Sequence, residues 1–117
     1  VVEDERVSRT MTLEMLKKMG LNKIVASTNG QIALEKLKTQ KADLIISDWH
    51  MPVMEGLEFY KAVKKEETLK DIPFLMVTVE DSKEKVIEAM KLGIRDYIVK
   101  PLQKSSFEAK VKTLLKI

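Results

Sequence analysis

The chain contains no cysteine, which excludes a disulfide framework and thiolate metal sites and is compatible with a reducing compartment. Long apolar runs are missing as well. The longest covers residues 74–77 and, past Thr78, Val79, far short of the roughly 20 residues needed to span a bilayer. No signal peptide is visible, so no membrane partner is expected. Charge of one sign is not concentrated: 21 basic and 18 acidic residues are mixed along the chain for a net +3. A nucleic-acid binder usually gathers its positive charge on one face or arm, so no nucleic-acid partner is expected either. There is no linker, internal repeat or low-complexity tract. What remains is a hydrophobic share of 44% and a charged share of 33%, the balance of a globular protein. A length of 117 residues suits one domain with a single core. The sequence opens directly on Val1-Val2, so the first element reads as cut and the natural chain is expected to start earlier.

Apolar, β-branched runs alternate with segments of helical period, the pattern of βαβ units around a parallel sheet. Val1-Val2 reads as the end of a first strand, with further strands expected over residues 23–27, 42–47, 74–78 and 97–99. Helices are expected over residues 6–19, 30–40, 57–65, 83–92 and 104–117. The first is expected to bury Met11, Met15, Leu16 and Met19, the second Ala33, Leu34 and Leu37, the third Leu57, Tyr60 and Val63, and the fourth Val86, Ala89 and Met90. Gly20 and Gly93 stand as helix stops. The methionines fall at helical spacing and read as core filler. The fold class is therefore α/β: a doubly wound (βα)5 sandwich with a five-stranded parallel sheet.

In such a sheet the ligand crevice lies outside the carboxyl ends of the strands. The strand-end residues here are Glu3-Asp4, Asp48, Thr78 and Lys100. Three carboxylates at one rim repel one another, and a hard divalent cation with oxygen ligands, Mg2+ first among them, relieves that repulsion. Asp48 then becomes a candidate nucleophile toward phosphorus, with Lys100 and the metal neutralising the transferring oxygens. Thr78 is placed to donate its hydroxyl to a phosphoryl oxygen and so to report the phosphoryl group's presence. Each residue alone has a plainer reading. Asp48 reads as a turn former, Glu3-Asp4 as helix caps, Thr78 as a strand residue and Lys100 as a solvated lysine before Pro101. Their convergence on one rim favours chemistry.

At these positions the chain resembles the response-regulator receiver family, whose pattern is an acidic pair after the first strand, then Asp, Thr or Ser, and Lys-Pro after the third, fourth and fifth. The run Ile46-Ser47-Asp48-Trp49-His50-Met51-Pro52-Val53-Met54-Glu55-Gly56-Leu57-Glu58 resembles the phosphorylation-site motif. Leu75-Met76-Val77-Thr78 and Tyr97-Ile98-Val99-Lys100-Pro101 resemble the other two. The resemblance implies the flavodoxin- and CheY-like strand order 2-1-3-4-5 and a two-component phosphorelay switch rather than an enzyme. By it, Asp48 accepts a phosphoryl group from a histidine kinase. Glu3, Asp4 and Asp48 hold Mg2+ together with the backbone carbonyl of His50, while Thr78 and Lys100 contact the phosphoryl group.

Tyr97 matches the family's switch aromatic, whose inward turn after Thr78 moves alters the face of the fourth helix, fifth strand and fifth helix. His50 and Glu80, each two residues past a site residue, lie where dephosphorylation rate is tuned; for His50 an exposed imidazole without a role stays open. The Lys100-Pro101 bond is expected to be cis. Glu3 stands where Asp is commoner, and His50 where the family's chemotaxis members often carry Asn. Trp49 and Leu75-Met76-Val77-Thr78 are most similar to the single-domain chemotaxis members, the CheY-type proteins. That implies a cytoplasmic monomer, a CheA-like kinase as donor and a flagellar motor switch component as target.

Three other readings compete. A receiver cut from a transcription regulator or hybrid kinase has the same motifs. A Mg2+-dependent aspartate-nucleophile phosphatase of the haloacid dehalogenase type places Asp-x-Asp after its first strand, whereas here the nucleophile follows the third and His50 is at the +2 position. A flavodoxin-type flavin module needs a phosphate loop where this chain has the acidic turn Glu3-Asp4-Glu5-Arg6.

Overall fold

Strand Phe74–Thr78 is an unbroken apolar run ending in a hydroxyl, and every residue of it is buried. Burial on both faces is what a central parallel strand requires. The computed structural model describes residues 1–117 and places this strand, β2, between β1 (Ile45–Ser47) and β3 (Asp96–Val99). Both neighbours run parallel to it, with Ile46 opposite Leu75 and Met76 opposite Tyr97. Around the sheet lie α1 (Arg6–Lys18), α2 (Gly30–Thr39), α3 (Gly56–Lys65), α4 (Lys83–Leu92) and α5 (Lys104–Leu115).

Side chains of β2 alternate between two cores. Phe74 and Met76 join Ala33, Phe59, Tyr60, Val63 and Ala89 from α2, α3 and α4. Leu75 and Val77 join Leu16, Phe107 and Val111 from α1 and α5. The result is a three-layer α/β arrangement in which each sheet face is covered by helices. No helix is long and apolar enough to cross a membrane.

The expected five-stranded sheet is corrected to three strands. The segments expected as strands one and two each contribute a single parallel bridge: Val2 bridges Ser27 on one side and Ser47 on the other. The Val2 amide donates to the Ile46 carbonyl at 2.7 Å and its carbonyl accepts from the Asp48 amide at 3.0 Å, while Glu3 donates to the Ser27 carbonyl at 2.9 Å. The hydrogen bonds there run through Val2 and its immediate neighbours and do not extend into ladders. The strand order 2-1-3-4-5 is thus not expressed as five paired strands.

Two of the expected buried stripes are also corrected. Met11 is 47% exposed and Met90 49% exposed. On α1 the buried positions are Thr12 and Leu16; on α4 only Ala89 is fully covered. These two methionines are surface residues, whereas Met51 and Met76 are core. The Lys100-Pro101 peptide is cis.

Val53, in the loop between β1 and α3, holds φ at 67° with its side chain 79% exposed. A β-branched residue is strained in this left-handed region, and no packing compensates. Val53→Asn is expected to raise stability by about 1 kcal/mol, since Asn tolerates that conformation. A urea-denaturation midpoint unchanged from wild type would contradict the assignment of strain.

Candidate functional site

Because the three strands run parallel, their carboxyl ends share one rim. Asp48 follows β1, Thr78 ends β2, Lys100 follows β3, and the bridge at Val2 delivers Glu3 and Asp4 beside them. The carboxylate oxygens of Glu3, Asp4 and Asp48 lie within 4.8 Å of one another. Glu3 and Asp48 are buried and Asp4 is exposed.

Asp48 is fixed at both oxygens. Oδ1 accepts from the Trp49 amide at 2.6 Å and Oδ2 from Lys100 Nζ at 3.2 Å. Behind it, a Cβ on Gly56 would lie 2.3 Å from the Asp48 carbonyl oxygen and 2.8 Å from Trp49 Cα. Only glycine allows α3 to start this close, and the Gly56 amide donates to the Trp49 carbonyl at 2.7 Å. Lys100 Nζ also donates to Glu3 Oε1 and, at 3.1 Å, to Ser8 Oγ.

Burial, reinforced by the charge of Asp48, pushes the Glu3 carboxyl up to about 7 against the opposing hydrogen bonds from Lys100 and the Glu5 amide. Burial pulls Lys100 down, but its hydrogen bond to Glu3 and the nearby carboxylate charges outweigh this and leave it raised. The ammonium is therefore firmly charged. The donor set is all hard oxygen, three carboxylates against one ammonium, and fits a divalent cation such as Mg2+.

Thr78 is fully buried and its Oγ1 accepts from the Glu80 amide at 3.3 Å. Tyr97 donates its hydroxyl to the Glu80 carbonyl at 2.8 Å and meets Trp49 edge-on, centroids 6.4 Å apart. Burial, followed by the charges of Glu80, Asp48 and Asp81, pushes the Tyr97 phenol up to about 12. The imidazole of His50 is 2.8 Å through Nε2 from Glu80 Oε1 and 3.9 Å through Nδ1 from Glu55. His50 thus joins the loop after β1 to the loop after β2.

Two site residues escaped the sequence. Ser8 contacts Lys100, and Arg9 donates to the carbonyls of Glu3 at 3.0 Å and Asp4 at 3.2 Å, holding the acidic turn. Neither residue type carries a signal of its own. The clue is their helical register, set by Glu5 capping α1.

The sequence pattern of the response regulator receiver domain matches residues 1–112. The chemotaxis protein CheY-3 of Vibrio cholerae serotype O1 is 34% identical over 111 residues, which cover 95% of this chain and 85% of that protein. The chemotaxis protein CheY of Pseudomonas aeruginosa is 32% identical over 114 residues, 97% of this chain and 92% of that one. Among solved structures, Vibrio cholerae CheY4 matches at a TM-score of 0.87 with 34% identity, over 97% of this chain and 93% of that one. The receiver domain of a signal transduction histidine kinase from Syntrophus aciditrophicus matches at 0.90 with 30% identity, over 98% and 86%. The chain belongs to the response regulator receiver family.

The raised Glu3 carboxyl has a consequence for metal-free protein. The folded chain holds this proton to about 7, against an ordinary value of 4.5, so it binds more protons than the unfolded chain between those limits. Stability from this group therefore falls as pH rises through that window. Denaturant unfolding at pH 5 and pH 7.5 is expected to show that loss in wild type and a flatter dependence in Glu3→Gln. Equal slopes in both would count against it.

Proposed function

We propose that this receiver domain is a Mg2+-dependent phosphoacceptor switch in which Asp48 takes a phosphoryl group from the phosphohistidine of a histidine kinase. The observation that carries the reading is the gathering of the Asp48 carboxylate with those of Glu3 and Asp4, all within 4.8 Å, and with the Lys100 ammonium at 3.2 Å. Glu3, Asp4 and Asp48, with the backbone carbonyl of His50, would hold the Mg2+ ion. When bound, it neutralises charge on the transferring oxygens.

An Asp48 carboxylate oxygen forms the new O–P bond as the P–N bond of the donor breaks, its electron pair passing to the imidazole. Lys100 stabilises a phosphoryl oxygen through its fixed charge, and the Thr78 hydroxyl donates to another. Since Thr78 Oγ1 holds the Glu80 amide and Tyr97 holds the Glu80 carbonyl, a shift of Thr78 pulls on the Tyr97 ring. On this reading Tyr97 is the switch aromatic and the face of α4, β3 and α5 the output surface.

The chemotaxis relatives at 32% and 34% identity support a cytoplasmic, monomeric chemotaxis regulator with a CheA-like donor and a flagellar motor switch component as target. A second reading, a receiver borne by a histidine kinase, has its own support in the Syntrophus aciditrophicus structure at 30% identity. The aspartate-nucleophile phosphatase finds less support, because two bridged segments, at Val2 and Ser27, precede the strand that Asp48 follows, whereas that family's nucleophile follows its first strand, and His50 occupies the +2 position.

Incubation with Mg2+ and acetyl phosphate is expected to add one phosphoryl mass to wild type and none to Asp48→Asn, by intact mass spectrometry. Uptake by both proteins, or by neither, would overturn the assignment. On the family resemblance His50 and Glu80, paired at 2.8 Å, tune the hydrolysis of the acyl phosphate. His50→Asn is expected to change the lifetime of the phosphorylated form; an unaltered half-life for radiolabel loss would make His50 a bystander.

A further inference from the structure

We propose that Ser8 is a positioning residue whose hydroxyl keeps the Lys100 ammonium at the rim while the carboxylates around it are engaged by a cation. The inference rests on the phosphoacceptor reading of Asp48. An ammonium group has three N–H donors, and here each has an acceptor: Glu3 Oε1, Asp48 Oδ2 at 3.2 Å and Ser8 Oγ at 3.1 Å. With its side chain 12% exposed, Lys100 has little water to replace any of them.

Two of the three acceptors belong to the carboxylate cluster that fits the metal. Sharing their charge with a cation weakens their hold on a flexible four-carbon stem. Ser8 stands outside that cluster. Its hydroxyl carries no charge, so it anchors the ammonium without cancelling the field that phosphoryl oxygens need.

The anchor is itself rigid. Glu5 caps α1, its carboxylate accepting from the Val7 amide at 3.1 Å and the Ser8 amide at 2.6 Å. Those bonds hold the Glu5 carboxyl below the usual carboxylate range. The Ser8 carbonyl accepts from Thr12 Oγ1 at 3.0 Å, and the adjacent Arg9 grips the carbonyls of Glu3 and Asp4. One helical turn thus holds the acidic turn by its backbone and the lysine by its charge.

Wild type, Ser8→Ala and Ser8→Thr separate the roles. Trp49, the only tryptophan, is 2% exposed and donates its amide to Asp48, so its fluorescence is the readout for Mg2+ titration. Ser8→Ala is expected to bind Mg2+ within about twofold of wild type. At saturating Mg2+ it should take phosphate from acetyl phosphate about tenfold more slowly, the effect of one lost hydrogen bond to a charged group, and bind beryllofluoride correspondingly more weakly. Ser8→Thr should restore both. An Ala variant that reacts and binds as wild type, a parallel fall in Mg2+ affinity, or failure of Thr to restore would each overturn the role of Ser8. A wild type that takes up no phosphoryl group would remove the phosphoacceptor reading and this inference with it; the two failures are told apart by the protein in which they appear.

Discussion

The arrangement turns on the Lys100 ammonium held between Glu3 and Asp48, three residues far apart in the chain. Taking these charges out of water is costly, and their attraction compensates only where geometry is good and the remaining valences are satisfied. Here they are: the third proton of Lys100 goes to Ser8, the second oxygen of Glu3 to the Glu5 amide, and the second oxygen of Asp48 to the Trp49 amide. No buried side-chain nitrogen or oxygen lacks a partner. The cluster still carries more negative than positive charge, and burial, with the Asp48 charge adding to it, raises the Glu3 carboxyl. A site that prefers to hold a proton when empty is one that a cation stabilises.

The elements most readable in the sequence were those whose shape depends on their own residues. Phe74 to Thr78 read as a buried strand because five successive positions tolerate no water, and Gly93 read as a helix stop because the backbone there needs φ of 115°. Asp48, Thr78 and Lys100 were placed together by topology alone: parallel strands put all their carboxyl ends on one side. What escaped depended on partners. Residues 23–27 have strand composition but pair through the single bridge of Ser27 to Val2, so composition overstated the ladder. Met11 and Met90 sit at core spacing, yet periodicity names a face without saying how far the neighbouring layer reaches. Ser8 meets Lys100 across 92 positions, a contact set by helix register that no local pattern announces.

Between the rim and the outer surface lies a short chain of hydrogen bonds through side chains. Thr78 holds the Glu80 amide, and Glu80 in turn offers its carbonyl to Tyr97 and its carboxylate to His50. Glu80 therefore joins the hydroxyl, the phenol and the imidazole through three different groups. Through Glu80 the end of β2 is thus joined to the aromatic ring of Tyr97 and to the loop that carries His50.

The bridge at Val2 carries a consequence of its own. Its two hydrogen bonds to the strand of Ile46 and Asp48, with the neighbouring bond from Glu3 to Ser27, are what tie the acidic turn to the sheet. Val2 is bridged on both sides and its side chain joins the core of Phe59, while the Glu3 side chain is held separately by Lys100. The acidic turn is therefore fastened twice, by backbone bonds to its flanking segments and by a lysine at its side chain, and the two fastenings come from different parts of the chain.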